Sequence, residues 1–166
     1  MFETAGSRPR FDFEFFLKNA EEPGLGEAET SECCHLWVQW SGHLFSDVVT
    51  TREGDVLSVW LGQEVEEEVD AAWADSPSHG YLLNALALTL CMCAVRERIP
   101  ELEAAGCAPA PSPTPELASA LTDAGLPAQA GTGLELARRY AVVTPIPFRQ
   151  RCATCAMHAA CPRPTE

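Results

Sequence analysis

Residues 41–61, SGHLFSDVVTTREGDVLSVWL, decide the fold. Two runs rich in apolar and β-branched residues, 43–50 and 56–61, stand on either side of Glu53-Gly54-Asp55. Runs of this composition are typical of β-strands, and a short link with a central glycine is typical of a tight turn between them. The stretch therefore predicts an antiparallel hairpin.

A third strand is expected directly upstream of the hairpin. Apolar side chains occupy alternate positions at Leu36, Val38 and Trp40, and Ser41-Gly42 offers a turn before the next run. Alternation with a period of two is the pattern of a half-buried strand. Since consecutive strands with short links pair antiparallel, residues 36–61 predict a three-stranded meander.

The period of the apolar residues changes after the hairpin. Val65, Val69 and Trp73 recur every four residues, which predicts an amphipathic helix. Ser78 is suited to cap a long helix that runs to about Leu102, kinks or loses regularity near Pro100, and is buried because it is apolar on most sides. Shorter helices are expected over 12–20, from Thr114-Pro115 to Gly125 and over 133–141, with an extended proline-rich linker over 108–115.

These elements define an α+β class of fold. We expect a small, antiparallel-rich sheet of three or four strands, packed by the long buried helix and several shorter helices, with the tail fastened by a metal cluster. At 166 residues, of which 46% are apolar, the chain is long enough to bury one core. The predicted organisation is an acidic N-terminal segment with a short helix over 1–32, then a single α+β domain over 33–166 that ends in a cysteine cluster.

The charge is strongly acidic and unevenly distributed. The net charge is −13, and residues 1–75 hold 17 acidic but only four basic side chains. Such a surface repels phosphate backbones, so we expect a protein partner and no nucleic acid, except at an arginine-rich C-terminal region. The arginines of that region are Arg138, Arg139, Arg149, Arg151 and Arg163.

The expected compartment is the cytoplasm. Residues 1–7 lack the basic and apolar runs of a secretory signal, and the apolar stretch 81–95 is too short to cross a bilayer. Cytoplasmic thiols stay reduced, so the eight cysteines favour metal ligation over the alternative, a disulfide framework.

The tail carries the clearest ligand pattern of the chain. Cys152, Cys155, His158 and Cys161 recur every three residues and are followed by Pro162. These four side chains could supply all the positions of a tetrahedral zinc site. Four ligands within ten residues are strained around one small ion, however, and closely spaced thiolates with a following proline are more typical of a [4Fe–4S] cluster. Iron–sulfur is the leading prediction, and zinc is the alternative.

If His158 is not a ligand, a fourth thiolate must come from another part of the chain. Cys33 and Cys34, at the start of the first predicted strand, are the first candidates, and Cys107, beside the proline-rich linker, is the second. Cys91 and Cys93 are two residues apart on the predicted long helix, so they point to different sides and are expected to pack in the core.

The order of these motifs resembles the RecB-like nucleases of the PD-(D/E)XK fold, among them the AddB-type helicase-nucleases and the CRISPR-associated exonucleases. Their iron–sulfur staple joins a terminal Cys-x2-Cys-x5-Cys to a distant N-terminal cysteine. The resemblance implies a cluster bound by Cys152, Cys155, Cys161 and one of Cys33 or Cys34. The similar segments are Gly42–Val49, with Asp47 at the position of the metal-binding aspartate, Arg52–Gly62, Asn84–Leu88, and Pro147-Phe148 leading to Cys152.

The chain departs from that family where catalysis takes place. Ser58 stands at the position of the second acid, and Trp60 stands at the position of the lysine. Gly80 and Asn84 replace the glutamine and tyrosine of the family's helix motif. Without a second carboxylate and a lysine, the resemblance implies that the hydrolytic centre is lost. The expected function is partner binding or structural and redox support, without catalysis.

Two other functions stay open at this level. A working metal-dependent nuclease would need Asp47 together with Asp55 or Glu64 as metal ligands. A zinc-stabilised adaptor would use the tail, with His158 among its ligands.

Overall fold

A computed structural model describes residues 8–148, 152 and 155–161. The chain forms helices and strands in mixed order, which confirms the predicted α+β class. The elements are α1 (Phe13–Ala20), α2 (Glu27–Ser41), β1 (Leu44–Thr51), β2 (Gly54–Leu61), α3 (Gln63–Asp75), α4 (Pro77–Arg98), α5 (Glu101–Ala105), α6 (Pro115–Asp123), β3 (Ala128–Ala130), β4 (Leu134–Leu136), β5 (Ala141–Ile146) and a 3₁₀ turn (His158–Ala160).

The predicted hairpin is confirmed as β1 and β2. They pair antiparallel in a register that runs from Leu44 opposite Leu61 to Thr51 opposite Gly54. Gly54 has a φ of 128°, a backbone conformation that residues other than glycine rarely adopt. β5 pairs antiparallel with the other side of β2, so the strand order is β1-β2-β5. The third strand of the sheet thus comes from late in the chain.

The sheet lies between two layers. Leu57, Val59 and Leu61 of β2 join a core formed mainly with helices α1 to α4. The alternate residues, Val56 and Trp60, point to a smaller core on the opposite face, which α6 and the β3–β4 pair cover. Side chains alternate between the faces of a strand, so every second residue of β2 serves a different layer.

Helix α4 is the centre of the larger core. The Ser76 side chain caps it, Pro77 occupies its first turn, and it ends at Arg98 just before the predicted kink. By length and hydropathy α4 would suffice to cross a membrane, but 67% of its most apolar 18-residue window is buried inside the fold. It is packed as the core helix of a globular domain.

Residues 36–40 are helical, and the prediction of a strand there is wrong. They belong to α2, whose buried residues Cys33, Trp37 and Trp40 lie at i, i+4 and i+7, the spacing of one helix face. Five alternating residues could not distinguish this face from a strand. The helix also runs through the predicted boundary between residues 32 and 33.

The predicted helix over 133–141 is also wrong. Residues 128–136 form the β3–β4 hairpin, and the Gly131 N–H donates to the Gly133 carbonyl in its turn. Thr132 and Glu135 have the spacing of a helix capping box, but glycines at 131 and 133 favour a turn. The chain then enters β5 at Ala141.

Candidate metal centre

The four residues of the tail pattern are joined by consecutive tight turns. The Cys155 N–H donates to the Cys152 carbonyl at 3.1 Å, the His158 N–H to the Cys155 carbonyl at 3.0 Å, and the Cys161 N–H to the His158 carbonyl at 3.3 Å. Each bond links residue i to residue i+3, as in a 3₁₀ helix, where side chains three residues apart eclipse one another. The local backbone therefore places each candidate ligand beside the next.

The same turns space the ligands along the chain. Three residues advance about 6 Å in regular 3₁₀ geometry. Sulfur atoms on one zinc ion, each bonded at about 2.3 Å, lie within about 4 Å of one another. Neighbouring ligands of the tail can therefore share one ion only if their side chains lean toward each other, whereas Cys152 and Cys161 also need a bend of the chain between them.

The tail is hydrogen-bonded to the proline-rich linker. At Ala110, the backbone N–H donates to the Cys155 sulfur at 3.3 Å, and the carbonyl accepts from the Ala156 N–H at 3.1 Å. Hydrogen bonds from backbone amides to cysteine sulfur stabilise its negative charge and tune metal–thiolate sites. Cys155 is half-buried by this contact, whereas Cys152 and Cys161 are exposed.

Cys107 lies at the beginning of the linker. Gly106 ends α5 with a φ of 72°, and its N–H donates to the Leu102 carbonyl, so the chain leaves the helix at this point. Cys107 is a free thiol of intermediate exposure, three residues before Ala110.

Cys33 is poorly suited to bind a metal. It lies on α2, not at the start of a strand as predicted, and its side chain is wholly buried in the larger core. Burial, with smaller contributions from Glu32, Cys34 and Glu29, raises its thiol pKa to about 12. Because only the thiolate is a good ligand, a thiol held in its neutral form is inert.

Cys34, the next residue of α2, is exposed. Adjacent residues of a helix point about 100° apart, so this side chain diverges from Cys33. It lines a cavity of about 620 Å³ together with Arg8, Arg10 and Trp37. Cys34 is thus surrounded by residues near the start of the described chain, among them Arg8 and Arg10.

Cys91 and Cys93 pack in the core as predicted. Both are buried on α4, and the Cys91 thiol donates to the Tyr140 carbonyl at 3.5 Å. Burial raises the pKa of both thiols, that of Cys93 to about 11.

The donor set of the tail, with three thiols and an imidazole, fits a soft metal ion or an iron–sulfur cluster. Among the residues that the structure describes, no three His, Cys, Asp or Glu side chains are gathered closely enough to hold a metal ion as they stand. Binding would therefore require the exposed tail side chains to turn toward a shared centre. Pro162, which completes the sequence pattern, lies outside the described residues.

The residues matched to the nuclease motif occupy neighbouring positions on the hairpin. Asp47 of β1 lies opposite Ser58 of β2, and the Ser58 hydroxyl donates to the Asp47 carbonyl at 3.2 Å. Asp47 is exposed, with its carboxylate accepting from the Val48 N–H, while Ser58 and Trp60 are buried. Ser58 and Trp60 therefore contribute to the packing of the smaller layer.

Gly80 allows a close approach of α3 and α4. A Cβ atom at this position would lie 2.7 Å from the Trp73 Cα, and closer still to two atoms of its indole ring. The glutamine that the resembling family carries here has no room beside Trp73. At the family's tyrosine position, the Asn84 side chain instead accepts a hydrogen bond from the Tyr140 hydroxyl at 3.0 Å.

The acids of the alternative nuclease site are spread along the hairpin. Asp55 lies at its turn, where its carboxylate accepts from the Thr50 hydroxyl at 2.7 Å. Glu64 lies beyond the opposite end of β2, 3.7 Å from the His43 ring. Asp47 is between them, three residues from Thr50 on the same strand. Strand residues are about 3.3 Å apart, so Asp55 lies about 10 Å along the hairpin from Asp47. Glu64 lies beyond the end of β2, so neither of these two acids lies beside Asp47.

No protein family, curated protein or solved structure matches the chain.

The linker carries one signal in the sequence, a cysteine immediately before a proline-rich extended segment. From that signal Cys107 is predicted as the second candidate, after Cys33 and Cys34. Ala110 contacts the tail through its backbone, so no side-chain pattern marks it.

Proposed function

We propose that this is a non-catalytic, cytoplasmic iron–sulfur protein whose tail thiolates Cys152, Cys155 and Cys161 bind a [4Fe–4S] cluster. The observation that carries the proposal is the series of i to i+3 turns, which sets the candidate ligands side by side. The cluster supports the fold and the surface through which a protein partner binds.

The spread of the ligands suits a cluster better than zinc. In regular 3₁₀ geometry the three turns from Cys152 to Cys161 would span about 18 Å, too far for one ion or one cluster, so the chain must bend between them in either case. The metal atoms of a cluster are themselves separated, so a cluster requires less of a bend than a single ion. His158, in the middle of the series, is then left free of the cluster.

The absence of catalysis is supported by three positions. Ser58 and Trp60 are buried packing residues, and Gly80 is held by its contact with Trp73. A carboxylate, a lysine or a glutamine at these positions would need the strands and helices to repack.

A protein partner is favoured by the charge and by the surface of α4. Tyr81 and Leu88 are exposed by 41% and 44%, and their seven-residue spacing places them on one helix face. A net charge of −13 opposes binding to nucleic acid. Of the arginines of the C-terminal region, Arg149, Arg151 and Arg163 lie outside the described residues.

The direct test is metal analysis of protein purified without oxygen. We expect a brown protein with broad absorbance near ~400 nm and about four iron and four sulfide per chain. Cys152→Ser should lose most of the iron, whereas Cys34→Ser, which alters another exposed cysteine, should keep it. A colourless wild-type protein with one zinc per chain, or with no metal, would overturn the proposal.

The nuclease alternative has its own test. Wild-type protein and Asp47→Ala are incubated with supercoiled plasmid and Mn²⁺. We expect no nicking by either protein above that of a mock purification. Nicking that disappears in Asp47→Ala would show that the protein is an enzyme.

A further inference from the structure

We infer that Cys107 supplies the fourth thiolate, so that the metal centre fastens the tail to the proline-rich linker and not to α2. This inference rests on the proposed function, since it identifies the remaining ligand of the same centre. It reverses the order in which the sequence ranked the candidates.

The tail is held in place by the backbone of Ala110 in the linker. Ala110 makes two backbone hydrogen bonds with it, one to the Cys155 sulfur and one from the Ala156 N–H. These bonds lie one residue apart on the tail, so they fix both the position and the direction of the chain at Cys155. A ligand that joins Cys155 must therefore come from the neighbourhood of Ala110.

Cys107 lies close to Ala110 along the chain. Three residues of extended chain span at most about 10 Å, so the Cα of Cys107 lies within that distance of the Cα of Ala110. Gly106 directs the chain out of α5, and Ala108 packs against the larger core. Cys107 is thus held close to the point where the tail contacts Ala110, and its half-exposed thiol is accessible to a metal.

The cysteines of α2 are less suitably placed. Cys33 is enclosed in the larger core, and Cys34 opens into the cavity beside Arg8 and Arg10. Both belong to the middle of α2, and freeing the Cys33 side chain would require that helix to leave the core. Cys107 needs no rearrangement of a helix.

The test compares single cysteine variants of the full chain, prepared without oxygen and reconstituted with ferrous iron and sulfide. Cys107→Ser should lose most of its iron and visible absorbance, as Cys155→Ser does, while Cys34→Ser and Cys33→Ser should retain theirs. Far-ultraviolet circular dichroism identifies variants that fail to fold.

Retention of the cluster by Cys107→Ser would overturn this inference and leave the iron–sulfur proposal intact, and loss of the cluster in Cys34→Ser or Cys33→Ser would then identify the ligand. Failure of the wild-type protein to bind iron would instead overturn the proposed function. The two failures are therefore distinguishable.

A metal-free measurement makes the geometry testable on its own. A short bis-maleimide is applied to a variant that keeps Cys107 and Cys155 but carries serine at 34, 152 and 161. We expect an intramolecular crosslink at residues 107 and 155, identified by mass spectrometry of the digested protein. A matched variant that keeps Cys34 in place of Cys107 should give none, and the reverse result would refute the placement.

Discussion

Substitution of Gly80 by alanine tests the contact between α3 and α4. In an ordinary helix this change stabilises by about 1 kcal/mol, because glycine loses more backbone entropy on folding. Here the added Cβ would lie 2.7 Å from the Trp73 Cα, about 1 Å short of an ordinary contact. The obstacle includes backbone, so rotation of a side chain cannot remove it.

The helices must therefore move apart, and overpacking of this kind costs about 1–3 kcal/mol. After the helix-propensity gain is subtracted, Gly80→Ala should lower the free energy of unfolding by up to about 2 kcal/mol. For a chain of this length, that corresponds to a Tm about 4–8 °C lower.

The assay is urea unfolding followed by circular dichroism at 222 nm, with Gly24→Ala as the control. Around Gly24 a new Cβ would meet nothing within 4 Å, so that variant should change stability by no more than about 0.5 kcal/mol. A Gly80→Ala protein more stable than the wild type by about 1 kcal/mol, the gain at an unobstructed helix position, would refute the close approach and the reason given for the missing glutamine.

Three further predictions concern buried polar groups. In urea unfolding, Thr89→Val should destabilise the protein by about 1–2 kcal/mol, because the Thr89 hydroxyl hydrogen-bonds to both Ala85 and Asn19. Thr144→Val should be neutral or slightly stabilising, because the buried Thr144 hydroxyl has no partner among the described residues. Stability should fall as pH rises from about 9 through 12, because the Cys33 pKa is raised to about 12 in the folded protein and the unfolded chain loses that proton first. Urea midpoints measured over a series of pH values test this, and Cys33→Ala should flatten the dependence of stability on pH. Tyr140→Phe should cost about 1 kcal/mol in the same assay, because the Asn84 side chain loses its donor.

Each of these has an outcome that would contradict it. Equal effects of the two threonine substitutions would show that the hydroxyl contacts do not set the difference. An unchanged alkaline slope in Cys33→Ala would assign the loss of stability to other groups, Cys91 and Cys93 included. A Tyr140→Phe protein as stable as the wild type would mean that the bond to Asn84 is replaced by water.

The hairpin could be predicted because its sequence and its tertiary surroundings agree. β1 and β2 alternate between two covered faces, and the turn glycine is needed for its φ of 128°. Over residues 36–40 local alternation was outweighed by a helical face, in which Cys33, Trp37 and Trp40 reach one core. Five residues carry too little information to separate the two periods.

Only the part of the candidate site that is contiguous in the sequence could be predicted. The spacing of Cys152, Cys155 and Cys161 predicts them as ligands whatever the fold, because short turns bring such residues together. Their docking partner could not be found in this way. It depends on the backbone of Ala110, which folding brings to the tail from 45 residues away along the chain.

The strand order β1-β2-β5 gives the sheet two edges of different character. β5 carries Pro145, which has no N–H to donate, so this edge is less suited to the addition of another strand. No described strand pairs with the free side of β1, and its eight residues carry one charge, at Asp47. Like charges would meet if two copies of this edge paired, so the carboxylate of Asp47 disfavours sheet-to-sheet association.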